Sequence, residues 1–404
     1  MAWSIAWSKC RSMRQAGERE RERVDLAAGY ATLGGMKRIV IAGGATGGHI
    51  YPSLAVVGKL REKFGNGAEI IYFGSGAPLE QPLYEACDRS YTIAAGKVRR
   101  YFSWRNFTDP FVTMWGWFQC LMYLLREMPD AVFSKGGYVA FPVAAAAKVY
   151  RIPIVVHESD AIPGFANRVL GKLAKKIALG FPDAREYFLP GKTEVVGNIA
   201  RPDIRSGDAA RARETFRLSE SKPLILVLGG SQGSENINRH IVEILEEILP
   251  LAQVVHQTGE GKKELVERLV KAREGVKPHR RGYHPVEFLS GEEMADLLAA
   301  ASLVVSRSGA TSIAEIAACR KVSLLVPLAS SANDHQRMNA YLLAEQDAAL
   351  VLEESNLTVN VLFGKVKKLL FDEEFRARMR ENIAKFDHPD AADRVAEMIA
   401  GASE

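Results

Sequence analysis

The chain has 404 residues, 47% of them hydrophobic and 25% charged, with 53 Lys and Arg against 48 Asp and Glu. This length is typical of two domains, and the composition excludes a disordered, fibrous or collagenous chain. The net charge of +5 is too small an excess to indicate a nucleic-acid partner. The four cysteines form no C-x-x-C pair, which favours a reducing cytoplasm over a disulfide framework or a thiolate zinc site.

Residues 1–35 are interpreted as an appended tail, disordered or a frayed helix, with Met36 as the functional start. The run 110–125, the longest without Asp, Glu, Lys, Arg or His, is shorter than the roughly 20 residues that a membrane-spanning helix needs, so we expect a buried or surface-lying helix there. The stretch 97–107 mixes Lys and Arg with Tyr, Phe and Trp. It predicts either contact with an anionic lipid surface or a solvated loop before a core helix.

In the first half, short apolar strands alternate with helical segments. Strands are predicted at 37–42, 69–73, 131–134 and 154–157, and helices near 50–64, 110–126 and 140–149. Continuous apolar strands that alternate with helices indicate a parallel sheet covered on both faces.

The same pattern restarts after Arg201. Strands are predicted at 224–228, 253–257, 287–289, 303–306 and 323–326, and helices near 236–248, 261–271, 292–300 and 311–318. With a linker at 195–202, we expect a first domain over 36–200, a second over 201–372, and a helical segment at 373–404 that packs back on the first domain. The predicted fold class is α/β, with two doubly wound domains facing a central cleft.

A glycine-rich loop, GGATGGH at 43–49, separates the first strand from the first helix. Such a loop lets backbone amides approach a phosphate or sugar, although it can also be no more than a tight connection. It is neither a G-x-G-x-x-G fingerprint nor a P-loop, which disfavours hydride transfer and nucleotide hydrolysis. His49 lies where a helix N-terminus keeps imidazole neutral, so it is either a catalytic base or a hydrogen-bonded structural residue.

Two further loops repeat this arrangement, GGSQGS at 229–234 and SRSGATS at 306–312. Three helix N-termini ready for anions indicate a diphosphate ligand. Glu315 follows one turn into the third helix, where a carboxylate can bind both ribose hydroxyls or serve only as a surface charge.

Polar residues at two other places can complete a sugar-binding cleft. Gln336 and Asn339 share one side of a predicted helix start, and amides suit sugar hydroxyls. The segment HESD at 157–160 ends a strand at the edge where α/β proteins bind ligands. No metal-ligand spacing is present, so neither a metal nor a cofactor is expected.

Taken together, the sequence from about Met36 onward resembles the MurG-type enzymes of glycosyltransferase family 28. The resemblance rests on seven segments that follow one another in order: GGATGGHIYP at 43–52, SKGGYVAFP at 134–142, HESDAIPGFAN at 157–167, VVGN at 195–198, GGSQGS at 229–234, SRSGATSIAEIAA at 306–318 and HQRMNA at 335–340.

The resemblance implies the GT-B fold, with two Rossmann-like domains, and transfer of GlcNAc from UDP-GlcNAc to undecaprenyl-pyrophosphoryl-MurNAc-pentapeptide, lipid I, to give lipid II for peptidoglycan. It implies a peripheral location on the cytoplasmic face of the cell membrane, where the first domain takes lipid I, with other cell-wall synthesis proteins as candidate partners. The implied substrate-binding residues are Thr46, Gly47, Gly48, Asp160, Arg201, Ser231, Leu289, Ala310, Thr311, Ser312, Ile313, Ala314, Glu315 and Gln336. Within that set Leu289 marks the uracil, Glu315 the ribose and Gln336 the GlcNAc hydroxyls.

Two positions depart from the family pattern. Ala45 intervenes before Thr46 in the first loop, and Asp160 stands where many relatives have Asn. An anion at Asp160 would repel a pyrophosphate that it faced.

We expect an inverting reaction in which a base deprotonates the 4-hydroxyl of MurNAc. His49 is the first candidate for that base and Glu158 the second. The alternatives are another GT-B enzyme, such as a glycolipid glycosyltransferase or a UDP-GlcNAc epimerase, and a non-catalytic UDP-sugar-binding protein.

Overall fold

The first half of the chain folds around a seven-stranded sheet in the computed structural model, which describes residues 36–44, 46–96, 105–230 and 233–404. The strands are β1 Lys37–Gly43, β2 Ala68–Gly74, β3 Arg89–Thr92, β4 Ala131–Gly136, β5 Ile154–Glu158, β6 Lys176–Leu179 and β7 Thr193–Val195. Their spatial order is β3-β2-β1-β4-β5-β6-β7. Every residue of β2, β4 and β5 is buried, because helices cover both faces of the sheet.

Five helices connect these strands. They are α1 Gly47–Phe64, α2 Gln81–Ala86, α3 Arg105–Glu127, α4 Ala140–Val149 and α5 Phe165–Leu173. α3 packs against α4 and buries Cys120 and Leu124. No helix among the described residues is long and apolar enough to cross a membrane.

The second half repeats the plan with six strands in the order β10-β9-β8-β11-β12-β13. These are β8 Leu224–Leu228, β9 Gln253–Gln257, β10 Tyr283–Val286, β11 Leu303–Ser306, β12 Ser323–Leu325 and β13 Leu350–Val351. The helices are α6 Ala209–Phe216, α7 Glu235–Glu243, α8 Leu245–Ile248, α9 Lys263–Lys271, α10 Gly291–Ala300, α11 Ala310–Ala318, α12 His335–Ala344, α13 Val359–Phe371, α14 Glu373–Ile383 and α15 Ala391–Ala402.

The last helix does not stay with the second sheet. α15 packs on α1 and on strands β4 to β6 of the first sheet. Its Val395 and Ile399 are fully buried and share a core with Ile39 and Val155. The end of the chain therefore completes the hydrophobic core of the first half.

One predicted strand is wrong and one predicted surface is not described. Residues 287–289 are a loop, because the strand there is Tyr283–Val286, which pairs in parallel with β9. The basic and aromatic residues 97–104 lie outside the described part of the chain.

Candidate active site

The glycine loops follow the strands at which the spatial order of each sheet reverses. In the first sheet β1 lies between β2 and β4, and in the second sheet β8 lies between β9 and β11. Ligands of open α/β sheets bind at the carboxyl ends of the strands at this point, where two neighbouring loops diverge. The first loop follows β1, the second follows β8 and the third follows β11, so the topology places all three at such positions.

A cavity of about 180 Å³ lies between the two halves. The first half contributes Thr46, Gly47 and Gly48 at the start of α1, and the second half contributes Thr311 and Ser312 at the start of α11. A Cβ placed on Gly48 would lie 3.5 Å from Thr311 Oγ1, so the two helix N-termini are close neighbours. Both helices direct free N–H groups and the positive ends of their dipoles at this space. The cavity can therefore attract an anion from two sides.

Arg201 and Glu315 form a bidentate ion pair at the edge of the cavity. Arg201 Nε lies 2.5 Å from Glu315 Oε1, and Nη2 lies 3.2 Å from Oε2. The side chains are only 15% and 6% exposed. The guanidinium also stacks 4.4 Å from the ring centroid of Tyr51 on α1. The carboxylate expected to hold a ribose is thus occupied by an arginine in this structure.

Apolar side chains form one wall of the cavity. Leu289 is 1% exposed, whereas its neighbour Phe288 is 51% exposed. Both lie in the loop before α10, whose first turn is fixed by a capping box in which Ser290 and Glu293 hydrogen-bond each other's backbone N–H. A planar ring can pack on this wall while its polar edge meets the loop backbone. Sequence reasoning did not identify Tyr51 or Phe288.

His49 is partly exposed on the first turn of α1, and its hydrogen bonds indicate the tautomer. Its Nδ1 lies 2.9 Å from the carbonyl oxygen of Gly44, to which it can only donate. Nε2 is then the unprotonated nitrogen. The pKa of His49 is lowered from its usual value, first by burial and then by the charge of Lys135, against the opposing effects of the Gly44 hydrogen bond and Asp160. Neutral imidazole with a free Nε2 can act as a general base.

Glu158 is 3% exposed and its carboxylate accepts hydrogen bonds on both oxygens. Oε1 accepts from the backbone N–H of Asp160 at 2.8 Å, and Oε2 accepts from Gly164 N at 3.2 Å and Asn167 Nδ2 at 3.0 Å. Burial raises its pKa to about 7, assisted by the nearby Asp160. This carboxylate thereby fixes the loop after β5.

Asp160 faces the second half of the chain. Its Oδ1 accepts from Asn339 Nδ2 at 2.8 Å, and Asn339 Oδ1 accepts from the N–H of Ala161 at 2.9 Å. Asn339 is fully buried and also donates to the carbonyl of Ser308. The two residues therefore bridge the halves instead of facing open solvent.

The remaining predicted residues divide into three groups. Gln336 Oε1 accepts from the N–H of Leu328 at 3.1 Å, and Ser308 Oγ donates to the carbonyl of Gln336. Ala310, Ile313 and Ala314 are buried on α11, where only their backbone can reach a ligand. Ser231 lies outside the described residues. No group of three or more His, Cys, Asp or Glu side chains suited to a metal ion occurs in the described part of the chain.

The comparisons with known proteins place both halves in one family. Residues 39–179 match the glycosyltransferase family 28 N-terminal domain, and residues 224–395 match its C-terminal domain. The chain is 37% identical to the UDP-N-acetylglucosamine--N-acetylmuramyl-(pentapeptide) pyrophosphoryl-undecaprenol N-acetylglucosamine transferase of Lachnospira eligens, over 90% of this chain and 99% of that protein. It is 36% identical to the protein of that name from Geobacillus thermodenitrificans, over 86% and 94%.

Solved structures agree on the fold. The crystal structure of Acinetobacter baumannii MurG matches with a TM-score of 0.69 and 26% identity, over 90% of this chain and 99% of that one. A UDP-GlcNAc 2-epimerase from Neisseria meningitidis matches with a TM-score of 0.65 at 13% identity, over 91% and 100%. The latter is a likeness of fold alone. With two matched domains, relatives that align over most of their own length and paired sheets of this topology, the chain belongs to glycosyltransferase family 28.

Proposed function

We propose that this protein transfers N-acetylglucosamine from UDP-GlcNAc to the MurNAc 4-hydroxyl of undecaprenyl-pyrophosphoryl-MurNAc-pentapeptide, lipid I, with inversion at the anomeric carbon. The observation that carries the proposal is the cavity in which the N-termini of α1 and α11 face each other beside Glu315. A nucleoside diphosphate sugar carries groups that complement this site. Its two phosphates can bind the helix N-termini, and its ribose diol can bind the carboxylate of Glu315. The curated relatives that carry this activity in their names match almost end to end.

In this proposal the donor lies mainly on the second half. The uracil packs against Phe288 and Leu289, the ribose hydroxyls bind Glu315, and the phosphates meet Thr311, Ser312 and Ser231. Gln336 reaches the GlcNAc hydroxyls. Because Glu315 is paired with Arg201, donor binding has to release that ion pair and free the guanidinium for the diphosphate.

The site must also open to admit this ligand. A cavity of about 180 Å³ is smaller than the roughly 300–1,000 Å³ of most ligand sites. The two halves therefore separate to bind the donor and close again around it, which excludes water as a competing acceptor.

His49 is the proposed base. Its Nε2 takes the proton of the acceptor hydroxyl while that oxygen forms a bond to the anomeric carbon of GlcNAc. The bond from that carbon to the phosphate oxygen breaks, and its electron pair leaves with UDP. The negative charge that develops on UDP is stabilised by the N–H groups of α11 and by Arg201.

The first half is the proposed acceptor and membrane-facing domain, and its α3 exposes an apolar face. Apart from Val112, which is 39% exposed and lies to one side of this face, the exposed apolar residues between positions 110 and 125, with their exposed fractions, are Phe111 68%, Met114 51%, Trp115 62%, Phe118 47%, Met122 71% and Leu125 59%. At 3.6 residues per turn these positions fall within an arc of about 100°. No charged residue lies between positions 110 and 125. Such a face suits the boundary between headgroups and acyl chains on the cytoplasmic side of the cell membrane, where the lipid-linked acceptor resides.

The test is incubation of the protein with radiolabelled UDP-GlcNAc and a lipid I analogue in detergent. We expect label in the lipid fraction, loss of transfer in His49→Ala, and normal transfer in His240→Ala, a histidine on α7 that does not line the cavity. Conversion of UDP-GlcNAc to its 2-epimer without transfer would favour an epimerase. Label on diacylglycerol would favour a glycolipid enzyme, and UDP-GlcNAc binding without turnover would favour a binding protein.

A further inference from the structure

A buried lysine lies beside the proposed base and has no role in the mechanism above. Lys135 is at the carboxyl end of β4 and is 2% exposed. Its Nζ donates to Ser159 Oγ in the loop after β5. Since Ser134 pairs with Val156, Lys135 is level with His157 on the neighbouring strand, directly before Glu158. An ammonium with three donors is thus enclosed where the two central strands end.

Two carboxylates compensate this charge. Burial lowers the pKa of Lys135 to about 8, and the charges of Glu158 and Asp160 oppose that effect. Burying an ammonium without a nearby opposite charge destabilises the fold by several kcal/mol. Glu158 and Asp160 therefore stabilise the buried charge of Lys135. Asp160 is in turn held by Asn339 from the second half.

The loop that follows the strand of Lys135 passes close to His49. Two residues after Lys135, a Cβ on Gly137 would lie 3.5 Å from His49 Nδ1 and 3.3 Å from the carbonyl oxygen of Gly44. Lys135 and His49 therefore lie on adjacent parts of one packed cluster. The groups that act on His49 come from each neighbouring element: Lys135 from β4, Asp160 from the loop after β5, and the Gly44 carbonyl from its own loop.

We propose that Lys135 and Asp160 are an opposed pair of positioning residues for the transfer reaction, Lys135 keeping the general base unprotonated and Asp160 limiting that effect while it ties the cluster to the second half. This rests on the proposed function, because it presumes that a base in this cluster deprotonates the acceptor. Neither residue touches the reacting atoms in the proposal.

The directions of the two effects are the same for both candidate bases. Lys135 lowers the pKa of His49 and that of Glu158, and the charge of Asp160 raises both, although the backbone N–H of Asp160 lowers the pKa of Glu158. The pKa of His157 is lowered by burial and then by the charge of Lys135, against the effect of the Gly197 carbonyl, which lies 3.2 Å from His157 Nε2. Removing Lys135 should thus raise the pH at which the base becomes active, and removing the Asp160 charge should lower it.

The test compares the dependence of kcat/KM on pH in Lys135→Met, Asp160→Asn and the double variant. We expect the ascending limb to move up by about one pH unit in Lys135→Met, to move down in Asp160→Asn, and to lie between them in the double variant. At a fixed pH below the limb, one unit corresponds to about a tenfold loss of kcat/KM in Lys135→Met. Lys148→Met, which removes an exposed lysine of α4, is the matched control and should leave the limb in place.

A second measurement is independent of turnover. With histidine labelled for NMR, the titration midpoint of His49 should rise in Lys135→Met and fall in Asp160→Asn. Asp160→Asn is nearly isosteric and keeps the test valid if Lys135→Met does not fold. Unchanged or inverted midpoints in folded variants would overturn the proposal even if the protein makes lipid II. Shifted midpoints in a protein that transfers no GlcNAc would instead refute the proposed function and retain the charge pair.

Discussion

The exposed apolar face of α3 gives a prediction with a magnitude. Replacing Phe111 and Trp115 together by Ser should weaken binding to lipid vesicles without changing the affinity for UDP-GlcNAc. The two residues are 68% and 62% exposed and lie on the same side of the helix. The face is opposite to the buried Cys120 and Leu124, so the substitutions leave the packing of α3 on α4 in place.

The size of the effect follows from the exposed area. An aromatic side chain presents about 200 Å² in total, so each ring exposes roughly 130 Å² here. At about 25 cal/mol per Å², with half of that area withdrawn from water at the interface, each ring contributes about 1.5 kcal/mol. The pair contributes about 3 kcal/mol, which corresponds to a weakening of roughly a hundredfold.

The assay is co-sedimentation with vesicles of phosphatidylglycerol and phosphatidylcholine over a range of lipid concentrations. Phe371→Ser is the matched control, since this phenylalanine ends α13 of the second half and is 51% exposed. We expect the control to partition like the wild type. If the double variant also does so, α3 does not bind the membrane and the acceptor must be reached through another surface.

Three further predictions concern the donor, acid stability and the backbone. Glu315→Gln should raise the Kd for UDP-GlcNAc by about 10-fold, because its charged hydrogen bonds to the ribose are lost, an effect that the weaker pairing of the amide with Arg201 in the free protein partly offsets; an unchanged Kd by calorimetry would place the ribose elsewhere. Burial lowers the pKa of His256 to about 3, so its contribution to the free energy of unfolding is complete above pH 6.5 and is lost as the pH falls toward 3. Urea titrations should give a smaller loss over that range in His256→Gln, and an identical loss would contradict the assignment. Gly136→Ala should lower the free energy of unfolding by about 1–3 kcal/mol, since Gly136 has φ +104° and its Cβ would lie 2.6 Å from Asn167 Oδ1; a melting temperature equal to that of the wild type would argue against this strain.

The central strands could be predicted because they are apolar on both faces. Exposed elements do not carry the largely apolar runs that form β1, β4, β8 and β11. The edge strands lack this signal. β3 reads RSYT, and β13 has only two residues, so their sequences do not differ from those of loops.

The position of β10 explains why the strand predicted at 287–289 is wrong. The apolar residues of 287–289 suggested a strand, but the chain pairs through Tyr283–Val286, which includes Pro285. β10 is the outermost strand of its sheet, where a proline without an N–H is tolerated. The apolar Leu289 instead lines the cavity.

For the candidate site too, the sequence predicts only the features that are local in the chain. Glycine loops and helix starts are local features, so their sequence indicated the cleft. Glu315 pairs with Arg201, which is 114 positions away in the chain, and Asp160 pairs with Asn339, which is 179 positions away. Lys135 stands in an apolar strand, and its environment is created only by the neighbouring strand. No local pattern specifies such pairs.

The position of α15 has a consequence for how the protein is synthesised. The hydrophobic core formed by Ile39 and Val155 requires Val395 and Ile399, which are synthesised only after the whole second sheet. The first half must keep an uncovered flank until α15 has been synthesised, so deleting α15 should destabilise the half that lies farthest from it in sequence. An isolated fragment ending at the linker would need a peptide spanning α15, supplied in trans, to become folded.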